Sequence, residues 1–312
     1  MAPDEIYEVI IVGGGPAGLT AGIYCQRAAL KTVLFEKGLL GGQIAISKEV
    51  ENYPGLEGIT GFDLAEKLVH QAGSFGLKVV QQEVESVNSG TGLHSVRLAA
   101  GEQLQTVALI IAMGGTLRKL GIPGEKEYHG TGVSYCATCD GFFFRDKTVV
   151  VVGGGDTAVE EAVYLSRLAR KVYLVHRKNV LRASSILQSR LMSEPRIEVI
   201  WNTIITEIKG DDRTVKAVSY ENTATGKKGE IQADGVFILI GYSPNNQLAP
   251  SGVRINEQGF VITDDKCETN VPGIFAVGDL RQKFASQIVV AASDGCIAAL
   301  AAAHYVEMKK IG

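Results

Sequence analysis

Short apolar runs that end in glycine occur at two places along the chain. Residues 8–12 lead into Gly13-Gly14-Gly15, and residues 147–152 lead into Gly153-Gly154-Gly155. Each glycine cluster is followed by helix-compatible sequence and then by another apolar run. Strand, glycine turn, helix and strand in this order predict two βαβ units, the second a repeat of the first.

The rest of the pattern alternates helix-like and strand-like periods. Apolar residues at three- and four-residue spacing predict helices, and short alternating runs predict strands. The helices are expected over residues 17–29, 61–75, 157–169 and 287–308, and further strands at 32–35, within 78–109, at 110–113 and 171–175, and within 197–237. The last helix is apolar enough to be packed in a core.

This order predicts the α/β fold class, with two Rossmann-like (FAD- or NAD(P)-binding) domains, the second inserted into the first. Residues 1–117 form the first part of the outer domain, residues 118–245 the inserted domain, and residues 246–312 the second part of the outer domain. We expect the chain to cross, and any hinges to lie, near residues 115–117 and 241–245.

Composition narrows the class of protein. The 312 residues are 46% hydrophobic and 21% charged, with a formal net charge of -3, which predicts a soluble globular chain. No run of lysine and arginine would follow a phosphate backbone or an anionic membrane, so neither nucleic acid nor membrane is an expected partner. Residues 1–5 are acidic, which argues against a secretory signal and for a cytoplasmic protein without a transmembrane span.

The two repeats differ at the end of their second strand. The first carries Glu36, about 20 residues beyond its glycines, where a carboxylate accepts a hydrogen bond from a ribose hydroxyl. The second carries His176-Arg177-Lys178 and then Arg182. An acidic residue there would repel a 2′-phosphate and a basic cluster attracts it, so the second site is predicted to prefer NADPH over NADH. The alternative interpretation is a solvated basic turn.

The five cysteines include one close pair, Cys136-Ala137-Thr138-Cys139, which is followed by Asp140. A single C-x-x-C in a cytoplasmic setting points to redox chemistry, because the thiolate of such a pair attacks disulfides. The alternatives are an inert buried pair and a turn-forming Asp140. Cys25, Cys267 and Cys296 are interpreted as buried small hydrophobic residues. No second C-x-x-C completes a zinc site, and no metal is expected.

Several motifs together resemble bacterial low-molecular-weight thioredoxin reductases, and the resemblance covers essentially the whole chain. They are Gly13 to Gly18, Gly42-Gln43, residues 51–55, Cys136 to Asp140, Gly153 to Ala158, residues 176–183 and Gly278-Asp279. The resemblance implies FAD in the first site, NADPH in the second, a homodimer, and thioredoxin as the partner. Electrons would pass from NADPH to FAD, then to the Cys136–Cys139 disulfide and on to the disulfide of thioredoxin, with the inserted domain rotating between half-reactions.

The resemblance also implies roles for individual residues. Cys139 would take electrons from the flavin, Cys136 would attack the partner disulfide, and Asp140 would donate and accept protons. The residues implied for FAD are Gly13, Gly15, Pro16, Ala17, Glu36, Lys37, Gly42, Gln43, Asn52, Val84, Ala112, Gly114, Asp279, Gln287 and Ile288. The residues implied for NADPH are Gly153, Gly155, Asp156, Thr157, His176, Arg177, Lys178, Arg182, Ile240 and Gly241.

Two stretches depart from the family pattern. Arg177 is followed by Lys178 and Asn179, where the family usually has a second arginine and an aspartate. Lysine lacks the planar fork of arginine, so the preference for NADPH is predicted to be weaker than usual. Ala285 and Ser286 stand where the family usually has tyrosine and arginine, and no residue in the sequence is an evident replacement for that arginine.

Two other functions stay open at this point. One is an NADPH-dependent reductase of another protein or of a small-molecule disulfide. The other is a redox sensor without turnover, against which the intact second glycine loop and basic cluster argue. A ferredoxin- or flavodoxin-type NADP reductase needs no dithiol, so Cys136 and Cys139 argue against that class.

Overall fold

The computed structural model describes residues 6–47 and 50–311. The prediction about a signal sequence concerned residues 1–5, which lie outside the described residues. In chain order the strands are β1 Ile6–Val12, β2 Thr32–Phe35, β3 Lys78–Val80, β4 Val84–Asn88, β5 His94–Leu98, β6 Gln103–Ile111, β7 Gly115–Leu117, β8 Val133–Ser134, β9 Thr148–Gly153, β10 Lys171–Val175, β11 Ile197–Ile200, β12 Thr203–Gly210, β13 Val215–Asn222, β14 Lys228–Gln232, β15 Gly235–Leu239, β16 Tyr242–Pro244 and β17 Ile274–Ala276. The helices are α1 Pro16–Arg27, α2 Gly61–Ser74, α3 Ala137–Asp140, α4 Asp156–Ser166, α5 Ser185–Ser193 and α6 Ile288–Ile311.

The chain forms two compact units. Unit 1 comprises Met1–Thr116 and Ser243–Gly312, and unit 2 comprises Leu117–Tyr242. The chain therefore leaves unit 1, builds unit 2 and returns. The short strands β7 and β16, which pair with each other, lie at the two crossings. The predicted α/β fold class with one unit inserted into the other is confirmed.

Unit 1 is built on a seven-stranded sheet in the order β3-β2-β1-β6-β5-β4, with β17 also paired to β6. Strand β1 runs parallel to both β2 and β6. Val9 and Ile11 of β1 belong to the core beneath the helices, and Ile10 and Val12 belong to the core on the other face. A strand covered on both faces is apolar at nearly every position, which is why this run was visible in the sequence.

Helix α6 packs against α1 in the core of unit 1. Ala298, Ala302 and Val306 are buried there, and a Cβ on Gly295 would lie 2.1 Å from the carbonyl oxygen of Ala17. By length and composition alone α6 could also cross a membrane. Its small residues allow instead the close approach of two helices, and the predicted packed helix is confirmed with slightly later bounds.

Unit 2 repeats this arrangement. Its five-stranded sheet has the order β11-β10-β9-β15-β8, and β12, β13 and β14 form a separate three-stranded sheet. Alternate residues of β9 again face two cores. Val149 and Val151 pack with the residues of α4 and α5, whereas Val150 and Val152 pack with those of β12, β13 and β14. The predicted second βαβ unit is confirmed.

Two helices were not predicted from the sequence. Helix α5 has no clear apolar stripe, because Ile186 and Met192 are 64% and 57% exposed while Leu191 is buried. Helix α3 has four residues, too few to show a period.

The predicted end of the first helix at Ala29 was wrong: α1 ends at Arg27, and Ala29 has a left-handed φ of 54° that stops the helix. Helix α4 likewise ends earlier than predicted.

Candidate active site

Cys136 and Cys139 form a disulfide in unit 2. Cys136 precedes α3 and Cys139 lies within its single turn, so the two Cα atoms are 5.3 Å apart, inside the range that a disulfide spans. The Sγ of Cys136 accepts a hydrogen bond from the N–H of Cys139 at 3.2 Å. Local chain geometry therefore brings the predicted cysteine pair (Cys136 and Cys139) together.

Asp140 is held next to the cysteine pair by Ser134. The Ser134 hydroxyl donates to Oδ2 of Asp140 at 2.6 Å, and its oxygen accepts the N–H of Cys136 at 3.1 Å. Burial raises the pKa of Asp140, although the Ser134 hydrogen bond and the nearby His129 oppose the rise. A carboxyl group with a raised pKa exchanges protons more readily near neutral pH. The proton-transfer role of Asp140 stays a prediction, and Ser134 is a contact that sequence reasoning missed.

A second carboxylate contacts the helix of the cysteine pair. Oε2 of Glu161, on α4, accepts the N–H of Ala137 at 2.6 Å. Burial raises the pKa of Glu161 to about 7, and the nearby charge of Glu160 acts in the same direction. The hydrogen bond from the Ala137 N–H acts in the opposite direction and lowers the pKa. Sequence reasoning missed Glu161, although a signal existed. It lies three residues after buried Ala158 and four before buried Leu165, and this spacing puts it on the inward face of α4.

The first glycine loop has the shape that a bound pyrophosphate needs. Gly13 has a φ of 111°, and a Cβ on it would lie 2.4 Å from the oxygen of Ala112. Gly15 caps α1 without a side-chain hydrogen bond, and a Cβ on it would meet nothing within 4 Å. Open space before a helix N-terminus fits a phosphate, because the first backbone N–H groups point into it. Pro16 at the start of α1 suits that position, since it has no N–H to satisfy.

Glu36 lies at the loop, just beyond the end of β2. Its two carboxylate oxygens accept the N–H groups of Gly14 and Gly38, both at 2.7 Å. A carboxylate offers about four acceptor positions, so the group retains capacity for the ribose hydroxyl that the sequence predicts. Lys37 next to it forms an exposed ion pair with Glu83 at 3.1 Å.

The residues implied for the flavin end of FAD lie together in unit 1. Nδ2 of Asn52 donates to Oε1 of Gln287 at 3.1 Å across a sequence separation of 235 residues. Nε2 of Gln43 donates to the carbonyl oxygen of Gly115 at 3.4 Å. Three of the other residues implied for FAD lie close to neighbours in unit 1: Gly42 is close to Gly15, Ala17 to Gly278 and Ala112 to Gly13. Of the rest, Gly114 has a φ of 56°, Val84 is buried and Ile288 is the first residue of α6.

Asp279 belongs to a buried ion network in unit 1. Its Oδ1 is buried and makes no hydrogen bond among the described residues, although Nζ of Lys283 forms an ion pair with it at 3.2 Å. The same Nζ lies 3.3 Å from Asp294, which also pairs with Arg281 at 2.8 Å. A buried carboxylate oxygen whose one charged neighbour among the described residues is Lys283 retains capacity to accept from a hydroxyl group of the predicted FAD. Sequence reasoning missed Lys283, a buried cation close in sequence to Ser286.

The second glycine loop is open in the same way as the first. Gly155 caps α4 without a side-chain hydrogen bond, and a Cβ on it would meet nothing within 4 Å. The N–H of Arg182 donates to the carbonyl of Gly154, and the N–H of Ser184 donates to Oδ1 of Asp156, both at 2.7 Å. These hydrogen bonds tie the basic segment to the glycine loop.

His176 is buried against the second glycine loop. Its Nδ1 lies 2.9 Å from the carbonyl oxygen of Gly153, and its Nε2 lies 3.0 Å from that of Val180. Both ring nitrogens contact backbone carbonyls, so His176 here positions the loop, and the predicted contact with a phosphate remains with Arg177, Lys178 and Arg182. The side chains of Arg177, Lys178 and Arg182 are exposed. Thr157 and Gly241, which are also implied for NADPH, are exposed too, and Ile240 is half-buried.

The three remaining cysteines differ in burial. Cys25 and Cys267 are buried, and burial raises the pKa of each thiol to about 12, which suits the inert role predicted for them. The prediction that Cys296 is buried was wrong, because this residue of α6 is half-buried. Within residues 6–47 and 50–311, no group of three or more His, Cys, Asp or Glu side chains is placed to hold a metal ion.

Comparison with known proteins gives full-length matches. The sequence matches the pyridine nucleotide-disulphide oxidoreductase family over residues 7–295. A thioredoxin reductase of Bacillus subtilis is 47% identical over 98% of this chain and 97% of that protein. A thioredoxin reductase of Listeria innocua is 45% identical over 99% of this chain and 97% of that protein. The crystal structure of thioredoxin reductase from Streptococcus pyogenes is similar at a TM-score of 0.93 and 41% identity, covering 97% of this chain and 99% of that chain.

Proposed function

The chain belongs to the pyridine nucleotide-disulphide oxidoreductase family, and from this premise we propose that it is a thioredoxin-disulfide reductase. Electrons pass from NADPH to FAD, then to the Cys136–Cys139 disulfide and on to the disulfide of thioredoxin. The observation that carries the proposal is the disulfide itself, formed next to Asp140 in the unit that also holds the second glycine loop. Relatives 47% and 45% identical over nearly their full length are thioredoxin reductases.

Unit 1 is the proposed site of FAD. The open space at Gly15, the buried acceptor of Asp279 and the contact between Asn52 and Gln287 support this assignment. The glycine loop would hold the pyrophosphate, Glu36 the ribose, and Asn52 and Gln287 the flavin end. FAD, when bound, supplies a carrier that takes two electrons from NADPH and delivers them to the disulfide.

Unit 2 is the proposed site of NADPH. The open space at Gly155 would take the phosphates of the dinucleotide. The exposed cations Arg177, Lys178 and Arg182 would attract the 2′-phosphate that distinguishes NADPH from NADH. Because Lys178 is a point charge without the fork of arginine, we expect a preference for NADPH that is weaker than two arginines would give.

The cysteine pair performs the thiol chemistry of the proposed reaction. Reduction of the disulfide consumes two electrons and two protons and leaves two thiols. The thiolate of Cys136 attacks one sulfur of thioredoxin, a mixed disulfide forms, and the other thioredoxin sulfur leaves and takes up a proton. Cys139, as a thiolate, then attacks Cys136, which restores the disulfide and releases the second thioredoxin sulfur. Asp140 donates and accepts protons at the sulfurs.

Unit 2 is proposed to rotate relative to unit 1 during turnover. The cysteine pair and the residues implied for NADPH belong to unit 2, whereas all the residues implied for FAD belong to unit 1. Both the pair and NADPH have to exchange electrons with one flavin in separate half-reactions, and a hinged domain allows this. A homodimer in the cytoplasm completes the proposal, and the homodimer rests on the family resemblance.

The proposal is tested with the purified yellow protein, thioredoxin, and either NADPH or NADH as the donor. We expect rapid reduction of thioredoxin with NADPH and slower reduction with NADH. In the Cys136→Ser variant NADPH should still bleach the flavin absorption, but thioredoxin should stay oxidised, because the attacking thiol is missing. Turnover that survives in this variant would contradict the proposed relay.

Other outcomes distinguish the alternative functions. If NADPH bleaches the flavin of the unmodified protein but thioredoxin stays oxidised, the partner is another protein or a small-molecule disulfide. If neither donor bleaches the flavin, the proposed NADPH site is wrong. Absence of NADPH oxidation with every disulfide tested would favour a redox sensor.

A further inference from the structure

Glu161 is a half-buried carboxylate beside the cysteine pair to which the proposed reaction assigns no role. It lies on the inward face of α4, and its Oε2 accepts the N–H of Ala137 at 2.6 Å. Ala137 is the first residue of α3 and lies between Cys136 and Cys139 in the chain. The carboxylate is therefore bound to the backbone segment that joins the two sulfurs.

The hydrogen bond fixes a particular part of the turn. The N–H of Ala137 follows Cys136 directly, and the Sγ of Cys136 accepts the N–H of Cys139 at 3.2 Å. A backbone N–H that binds Glu161 is not available to stabilise a thiolate at Cys136. Hydrogen bonds to the charged form are one of the main causes of a lowered thiol pKa.

Among the described residues, the charged group that acts on Glu161 is another acid. The groups that shift its pKa are burial, the Ala137 amide and the acidic Glu160, with no lysine or arginine among them. On the side of the cysteine pair Asp140 interacts with His129, and the other titratable or charged groups there are Lys119, Glu125 and Tyr135. An unpaired negative charge close to a sulfur disfavours a second negative charge there.

From this geometry we propose that Glu161 is a positioning residue of the cysteine pair, which holds the first turn of α3 and, through its negative charge, disfavours the thiolate of Cys136. The inference rests on the proposed function only in requiring that the pair be redox-active. Its consequence is a stronger reductant, because a pair whose reduced form is less stabilised gives up electrons more readily.

The charge is tested by comparing Glu161→Gln with the unmodified residue, both in a Cys139→Ser background that keeps FAD bound. The glutamine amide oxygen still accepts the Ala137 N–H, but the charge is gone. The rate of alkylation of Cys136 by iodoacetamide, followed by mass spectrometry of its peptide, is measured against pH. At pH values where Glu161 is ionised in the unmodified protein, we expect the pKa of the Cys136 thiol to be about one unit lower in Glu161→Gln. At pH values below the thiol pKa, this shift corresponds to about tenfold more thiolate.

Two further variants separate charge from position. Glu160→Gln removes the neighbouring exposed acid of the same helix and should shift the thiol pKa by less than a third as much. Glu161→Ala should shift the thiol pKa in the same direction as Glu161→Gln and, in addition, lower the melting temperature, since the Ala137 N–H loses its acceptor.

The reduction potential gives an independent check. With both cysteines present, Glu161→Gln should raise the potential of the pair by up to about 30 mV, which corresponds to a tenfold change in the equilibrium constant. An unchanged thiol pKa in Glu161→Gln, or an equal shift in Glu160→Gln, overturns the proposal. Because alkylation and thiol titration need no thioredoxin, a wrong assignment of the partner would leave both measurements intact.

Discussion

At the scale of single residues, Asp140 and Glu161 contact the cysteine pair in different ways and have different proposed roles. Ser134 holds Asp140 through a 2.6 Å hydrogen bond and accepts the amide of Cys136. Burial raises the pKa of Asp140 and that of Glu161, to about 7 in the second case. Asp140 accepts from a hydroxyl that can also donate to the carbonyl oxygen of Cys136, at 3.2 Å, whereas Glu161 is bound to a backbone amide. Asp140 is therefore suited to exchanging a proton and Glu161 to holding the turn.

The first prediction at this scale concerns Asp140→Asn. The amide keeps the size of the side chain but cannot exchange a proton, so turnover with thioredoxin should fall by about 100-fold, typical of a lost general acid or base. Bleaching of the flavin by NADPH should be unaffected, because that half-reaction does not involve the thiols. Equal losses in both half-reactions would instead point to a structural role for Asp140.

The second prediction concerns the acid sensitivity of unit 1. Burial of His94 in β5 lowers its pKa, the nearby Lys309 acts in the same direction, and a contact with Pro272 opposes both. The unfolded chain therefore binds a proton at His94 at a higher pH than the folded protein does. Stability should fall as the pH drops below about 6.5, the usual pKa of histidine, by at most about 1.4 kcal/mol per pH unit from this residue.

The measurement for His94 is the free energy of unfolding between neutral and mildly acidic pH. His94→Phe removes the titrating group, so its stability should depend less on pH than that of the unmodified protein. His70→Phe is the control, because His70 is exposed on α2. Identical slopes for the His94 and His70 variants would show that His94 does not titrate differently on unfolding.

Among the elements, α1 and α6 show how closely helices can approach in this fold. The carbonyl oxygen of Ala17 on α1 lies only 2.1 Å from where a Cβ on Gly295 would be. The same helix N-terminus carries the open space at Gly15, so the packing of α6 sets the position of the first glycine loop. The ion network of Asp279, Lys283 and Asp294 ties the start of α6 to the predicted FAD residue.

The prediction at the element scale compares two glycine-to-alanine variants. Gly295→Ala places a methyl group against a backbone oxygen that cannot move without shifting α1, so we expect a loss of about 1–3 kcal/mol and weaker retention of FAD. Gly73→Ala in α2 places the methyl group in open space and should stabilise the protein by up to about 1 kcal/mol. Denaturant unfolding and flavin release on dilution measure both effects. Tolerance of Gly295→Ala would show that the α1–α6 contact relaxes easily.

At the level of the whole molecule, each of two similar units carries one of the two proposed nucleotide sites. Each unit has a sheet in which one strand, β1 or β9, pairs parallel with both of its neighbours, is buried on both faces and ends in a glycine loop. Unit 2 interrupts unit 1 in the chain and carries the cysteine pair. The proposed transfer of electrons between sites on separate units therefore requires the units to move.

The prediction at this scale is that cross-linking unit 1 to unit 2 stops turnover but leaves one half-reaction intact. In one locked orientation NADPH should still bleach the flavin, and in the other a reduced flavin should still reduce the disulfide. The control is the same pair of engineered cysteines kept reduced, which should retain full activity. Full turnover in a cross-linked protein would refute the rotation.

The sequence by itself determined the repeated strand–glycine–helix order, the inserted organisation and the cysteine pair. These features depend on local spacing: a strand buried on both faces reads as a continuous apolar run, and three residues of separation suffice to bring Cys136 to Cys139. Helix α3, with four residues, and helix α5, without a clear apolar face, show no hydrophobic period, and sequence reasoning missed both.

Only the tertiary structure decided which residues contact each other across the buried faces of the helices and strands. Glu161 reaches Ala137 across 24 residues, and Asn52 reaches Gln287 across 235. His176, which the basic cluster suggested as a phosphate contact, is turned inward against the carbonyl oxygens of Gly153 and Val180. Hydrophobic periodicity reports which side of an element is buried, but the partner of each buried polar group depends on how distant segments pack together.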